Sequence, residues 1–161
     1  MSTREQILSE AERLIRTRGY SAFSYADLAE TAGITKASVH YHFATKEDLI
    51  VVLVEAYLVR FVDALASIRA SHADMRDRLN AYAQLFLAGF EQGMLPLCGA
   101  LSAERSPLPP ALHPRIPDFF QIHLHWLPTV LEDGGLVPPH SPVRLLPTTL
   151  KCARFVDRQS G

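Results

Sequence analysis

The chain has 161 residues, 48% of them apolar and 20% charged, with a formal net charge of -1. This supplies ample material for a buried core and excludes a disordered chain. It also excludes a chain-wide basic signature, so any contact with nucleic acid must rest on local charge placement.

Residues 1–12 are charged and amphipathic, without the apolar segment of a secretory signal. Thr3 followed by Gln6 reads as a capping box. Ile7, Leu8, Ala11, Leu14 and Ile15 then recur on one helical face. Arg16 and Arg18 suit the last turn of this first helix, about 4–18, and Gly19 is its expected terminator. Ser24, with Asp27 after it, starts a second helix, about 25–31, which Gly33 ends. Thr35 caps a third, about 36–42, and Thr45 a fourth, about 46–70. Leu49, Leu53, Ala56, Tyr57, Phe61, Ala64, Leu65 and Ile68 form the expected inner stripe of the fourth. Residues 49–54 are apolar, but Glu55, Arg60 and Asp63 follow, so no membrane span is expected.

A fifth helix, about 74–92, is expected to turn Leu79, Tyr82, Ala83, Phe86, Leu87 and Phe90 inward. Residues 97–104 suit a short helix and residues 106–110 a proline-rich loop. Residues 114–131 read as helical, with Pro117 in the first turn and Pro128 near the end. Gly134 and Gly135 break this pattern. From residue 137 the composition shifts to prolines and a local net charge of +3, with only a weak helix at about 148–157. Neither a repeat nor β alternation is present. Cys98 and Cys152 lack metal-ligand spacing and read as reduced thiols, with one disulfide as the alternative. Cys98 reads as a buried small hydrophobe before a redox sensor.

The segment Thr31-Ala32-Gly33-Ile34-Thr35 joins the second and third helices with small residues around a glycine. That spacing suits a helix-turn-helix, whose second helix enters the major groove. Two packed helices without that role are the alternative. Three features favour DNA. Residues 34–46 contain no acid but include Lys36 and Lys46, as a phosphate-facing surface requires. The third helix is too polar for a core helix, offering Lys36, Ser38, His40, Tyr41 and His42 while Val39 and Phe43 pack down. The starts of the second and fourth helices carry Ser24, Tyr25, Thr45 and Lys46 beside backbone N–H groups that can hold phosphate.

The run Gly33-Ile34-Thr35-Lys36-Ala37-Ser38-Val39-His40-Tyr41-His42-Phe43-Ala44-Thr45-Lys46-Glu47-Asp48-Leu49 resembles the DNA-binding signature of the TetR family. So does Gly19-Tyr20-Ser21-Ala22-Phe23-Ser24-Tyr25-Ala26-Asp27-Leu28-Ala29. The likeness covers roughly residues 3–55. It implies an all-α, dimeric, ligand-responsive repressor that binds a pseudo-palindromic operator. Matched by position, Thr35, Lys36, Ala37, Ser38, His40, Tyr41 and His42 become base or phosphate contacts. Lys46 becomes a phosphate contact opening the fourth helix, and Ser24 and Tyr25 phosphate contacts opening the second. His40 stands where relatives commonly have tyrosine, so no base preference carries over.

Ordinary readings stand beside these. Lys46 and Lys36 are solvated lysines, Tyr41 packs half-buried, and His42 braces the turn after its helix. Residues two apart on a helix point apart, so neither His40 with His42 nor His123 with His125 suits a shared metal. Phe61, Tyr82, Phe86, Phe90, Phe119, Phe120, His123 and Trp126 recur at helical spacing. They are either core or the wall of a pocket for an apolar or aromatic effector. No cofactor motif and no nucleophile–base set is present, so an enzyme is not expected.

The expected division is a DNA-binding headpiece at 1–46, a helical effector-binding body at 47–136 and an atypical proline-rich tail at 137–161. A cytoplasmic regulator is the leading reading. A helical ligand-binding or protein-interaction module that has lost DNA binding is the alternative. The resemblance also implies two long C-terminal helices for dimerisation, and the short tail here weakens that homodimer. A shifted frame or truncation near Val137 would produce the change.

Overall fold

The computed structural model describes residues 2–104 and 107–136. The expected tail, its weak helix and Cys152 lie outside the described residues. Seven α-helices follow in order: α1 Thr3–Arg18, α2 Tyr25–Ala32, α3 Lys36–His42, α4 Lys46–Ser71, α5 Met75–Glu91, α6 Leu97–Ser102 and α7 Arg115–Asp133. A single 3-10 turn, Pro110–Leu112, precedes α7. Among the described residues there is no strand, and no helix is long and apolar enough to cross a membrane.

Local chemistry accounts for the helix starts. Ser24 and Thr45 each accept a backbone N–H from the aspartate three residues on, and that aspartate accepts the cap's own N–H. The first helix is capped one residue earlier than the spacing predicts. Ser2, not Thr3, accepts the Glu5 N–H, and the Glu5 carboxylate accepts the Ser2 N–H at 2.7 Å. Glutamate accepts an N–H as a full anion, which makes the Ser2–Glu5 pair the stronger box than Thr3–Gln6. Gly33 ends α2 in the left-handed conformation, φ 66°, where a Cβ is strained. In α7, Pro128 cannot donate to the Leu124 carbonyl, yet the helix continues to Asp133.

The long α4 organises the packing. It lies against α1, α5, α6 and α7, and α1 also packs on α2 and α6. Its buried residues are Leu49, Ile50, Leu53, Val54, Leu58, Phe61, Leu65 and Ile68. This is broader than the expected stripe. Ile50, Val54 and Leu58 are buried as well, while Ala56, Tyr57 and Ala64 are only half-buried. A helix with neighbours on several sides buries more than one face. The buried side chains from Ile7 to Val130 form one continuous cluster. The α1–α4 headpiece and the body therefore share a core across the start of α4.

The fifth helix departs from expectation. Leu79, Tyr82 and Phe86 pack against the core. Ala83, Leu87 and Phe90 face outward, with Leu87 and Phe90 44% and 51% exposed. The helix touches α4 and α7 along one narrow line, so its remaining apolar side chains stay outside.

Leu53 is fully buried where α4 passes from headpiece to body. Leu53→Ala is expected to lower the unfolding free energy by about 2–5 kcal/mol. Urea denaturation followed by circular dichroism measures this, and a loss below about 1 kcal/mol would contradict a shared core there.

Candidate nucleic-acid interface

The third helix stands on the surface with one buried foot. Val39 is fully buried, Phe43 is 3% exposed and Tyr41 is 86% exposed. Thr35, Lys36, Ala37 and His40 are exposed, and Ser38 and His42 are half-buried. Thr35 caps α3 by accepting the Ser38 N–H at 3.1 Å. No acid stands in the first turn of α3, in contrast to Asp27 on α2 and Asp48 on α4. The positive end of the α3 dipole is therefore the uncompensated one of the three. Tyr41 packs only edge-on against His42, with ring centroids 5.1 Å apart. So large an exposed aromatic ring has no role in the core of this chain.

His40 is anchored. Its Nδ1 lies 3.2 Å from the Ala44 carbonyl. A carbonyl only accepts, so Nδ1 donates and Nε2 is left as an acceptor in the neutral ring. The ring also packs edge-on against Tyr25, centroids 4.8 Å apart.

Tyr25 is placed differently from a surface phosphate contact. It is 7% exposed, and its hydroxyl donates to the Phe43 carbonyl at 3.1 Å. Burial, with Asp48 and Tyr20 adding, pushes this hydroxyl up to about 12, so it stays a donor across the physiological range. Its observed role is to tie the start of α2 to the end of α3. The hydroxyls of Ser24 and Thr45 are engaged too. Each donates to the carboxylate of its own capping box, at 2.6 and 2.7 Å.

Lys46 is half-buried at the start of α4. Its ammonium donates to the Tyr20 and Phe23 carbonyls, both at 2.6 Å. It also sits over the Tyr20 and Phe23 rings, 4.3 and 4.1 Å from their centroids. Burial pulls this amine below the usual lysine range, and Glu104 and Asp27 work against that fall. An ammonium has three donors, so one is left for an outside acceptor. One cation on this side escaped the sequence reading. The Arg4 guanidinium lies 5.2 Å from the Phe43 ring, beside the end of α3. Only the packing of α1 on the headpiece brings it there.

In the body, seven of the eight expected aromatic residues come together, with Phe120 at the edge. Phe61 on α4 meets Phe86, Phe119 and His123, with centroids 6.0, 5.1 and 4.7 Å apart. Tyr82 stacks on Trp126 at 5.2 Å and reaches His123 Nδ1 with its hydroxyl at 2.5 Å. Phe120 stands at the edge of this cluster, its ring 5.4 Å from that of Phe119, whereas Phe90 does not join it. Phe90 and Phe120 are 51% and 42% exposed, on the sides of α5 and α7 turned away from α4. Tyr57 joins from α4 instead, 5.9 Å from Phe119. Burial holds His123 below the usual imidazole range. His123 Nε2 and Trp126 Nε1 are buried without a hydrogen-bond partner. Burial likewise pushes the Cys98 thiol up to about 12, which makes it an unreactive core residue.

Residues 7–53 match the family described as bacterial regulatory proteins, tetR family. Among curated proteins, the chain is 37% identical over 94 residues to a probable HTH-type transcriptional regulator, ArpR, of Pseudomonas putida; this covers 58% of the chain and 43% of that protein. It is 33% identical over 90 residues to the HTH-type transcriptional repressor KstR2 of Mycobacterium tuberculosis, covering 56% and 44%. The chain thus matches under half the length of these curated relatives. A TetR transcriptional regulator of Legionella pneumophila is 31% identical in its crystal structure, with a TM-score of 0.75 over 84% of this chain and 74% of that one.

Tyr25→Phe leaves the buried Phe43 carbonyl without its donor and is expected to cost about 1–3 kcal/mol. Chemical denaturation reads the loss. In an alkaline titration followed by tyrosine absorbance, the substitution should remove a component ionising near pH 12. A normal ionisation for that component would place Tyr25 at the surface instead.

Proposed function

From the premise that this chain belongs to the tetR family of bacterial regulatory proteins, we propose that it is a DNA-binding transcriptional regulator and not an enzyme. The observation that carries this reading is α3, exposed and acid-free, with Lys36, Ala37, His40 and Tyr41 outward and Val39 anchored beneath. Lys36 meets a phosphate or a guanine edge. Tyr41 meets a phosphate or a thymine methyl, and the free His40 Nε2 accepts from a base amino group. Thr35, Ser38 and His42 flank them. Lys46 keeps the headpiece loop in place and offers its remaining donor to a phosphate. Ser24 and Thr45 spend their hydroxyls and own N–H groups on their capping boxes, so their helix starts offer a phosphate only the N–H groups of the two residues that follow each cap. Tyr25 supports this surface from beneath.

A homodimer sets two such helices about 34 Å apart or slightly more, matching a pseudo-palindromic operator. What supports a second copy as partner is the exposed apolar set on α5 and α7, with Leu87, Phe90, Phe120 and Leu124 each more than two-fifths exposed. Repression is supported by the relative named a repressor, and a DNA partner implies a cytoplasmic location. The division into a headpiece at 1–46 and a body at 47–136 is a division of task, since the core is continuous. An effector entering the body would act by binding the DNA-incompetent arrangement more tightly.

For that effector, the cluster of Phe61, Tyr82, Phe86, Phe119, His123 and Trp126 favours a flat apolar molecule. The unpartnered Trp126 N–H favours one that carries a hydrogen-bond acceptor.

Lys36→Ala is expected to weaken binding to a duplex selected from a random library and to reduce its salt slope by about 1. Tyr41→Ala should cost about 1–3 kcal/mol of affinity with the fold intact. Fluorescence anisotropy across a salt series measures both. Wild-type protein that binds no duplex at low salt would favour the ligand-binding or protein-interaction module instead.

The chain has one tryptophan, so its emission reports on the body cluster. Naphthoate is expected to quench Trp126 more strongly than naphthalene at equal concentration, since only the carboxylate satisfies the buried indole N–H. Equal quenching would remove the acceptor from the effector description.

A further inference from the structure

The α1–α2 loop is held from two sides by opposite charges. Just past the end of α6, the Glu104 carboxylate accepts the Tyr20 N–H at 2.8 Å and the Ser21 N–H at 3.0 Å, one on each oxygen. From the other side, Lys46 holds the Tyr20 and Phe23 carbonyls. Gly19 makes room for the carboxylate. It has φ 91°, and a Cβ there would fall 2.1 Å from Glu104 Oε1. Consecutive N–H groups in a turn form a concave anion site, here filled by a side chain of the body. Hydrogen bonding with Ser21, then with the Tyr20 N–H, holds this carboxyl below the usual glutamate range against the opposing effect of burial. The other flank of α6 is fastened as well. The Arg16 guanidinium donates to the Leu95 carbonyl at 2.8 Å, and the Leu95 N–H donates to the Arg16 carbonyl at 3.1 Å.

We propose that Glu104 is the positioning residue through which the body sets the orientation of the DNA-binding headpiece, by gripping the α1–α2 loop in the nest that Gly19 leaves open. The inference rests on the DNA-binding reading for its purpose, but not for its geometry. The apolar contacts of α6 are non-directional, whereas two charge-assisted bonds to adjacent amides fix direction as well as distance. Since Lys46 grips the same loop, a displacement of Glu104 reaches the lysine that opens α4 and the cap at Ser24. The shared core supplies affinity between headpiece and body, and Glu104 supplies register.

Glu104→Gln keeps the size and removes the charge, and Glu104→Asp keeps the charge and shortens the reach. Hydrogen exchange is followed on the full chain. Both variants are expected to speed exchange at Tyr20 and Ser21 and through α2 and α3 by about tenfold or more, with a clearly smaller change in α5 and α7. Acceleration spread evenly over α5 and α7 would mark a residue of general stability and overturn the proposal. Unchanged exchange in α2 and α3 would do the same. A second arm measures affinity for the library-selected duplex. Both variants should shift it at least several-fold with an unchanged salt slope, because no phosphate contact is lost. If wild type binds no duplex, the DNA reading fails by itself, and the exchange arm still decides whether Glu104 sets the headpiece.

Discussion

The ammonium of Lys46 is the point on which the headpiece is assembled. It sits on two carbonyls of one loop and over two aromatic rings of that same loop. A lysine so placed gives up part of its hydration, and burial lowers its proton affinity accordingly. What compensates is the full set of acceptors around it, with Glu104 contributing from a distance. The end of α1, the start of α2 and the start of α4 meet at this one cation. The outward face of α3 depends on that meeting, because α3 is seven residues long and too short to hold its own direction.

The electrostatics of the surface follow from which helix starts are neutralised. Asp27 and Asp48 close the boxes at α2 and α4, and α3 has only a neutral threonine cap. An anion approaching this side meets uncompensated amide dipoles at α3, with Lys36 beside them. Tyr41 stands out from the same helix. This arrangement discriminates for a polyanion locally, in a chain that carries almost no net charge overall.

The body combines a tight aromatic cluster with polar atoms that the chain itself leaves unsatisfied. The Tyr82 hydroxyl pairs with His123, but the far nitrogen of that ring and the Trp126 indole nitrogen have no partner. Buried polar atoms without partners are costly in a plain core. The cluster spans α4, α5 and α7, and α4 continues from it directly to Lys46, so the two ends of the molecule are mechanically joined.

Much of this was legible in the residue order. Cap signals such as Ser24 with Asp27, Thr45 with Asp48, and Gly33 act within four residues, so they specify helix boundaries without knowledge of the rest. The acid-free stretch around α3 was likewise plain, as was the clustering of seven of the eight body aromatics. The first helix start was displaced by one residue because two overlapping cap signals compete and the charged acceptor wins. Facing was harder. Ala83, Leu87 and Phe90 share a period with Leu79 and Phe86, and only the presence of α4 and α7 on one side decides which are covered. Tyr25 looks like a surface residue at a helix start, until Phe43 arrives with a carbonyl that needs a donor. Glu104 carries no local signal at all, since its partners stand more than eighty residues earlier in the chain. Residue order alone determined the helices and the chemistry of the exposed one, because capping and periodicity are short-range. Tertiary structure alone decided which side chains are buried, which charges meet and which donors are left over, because those depend on neighbours brought together only by folding.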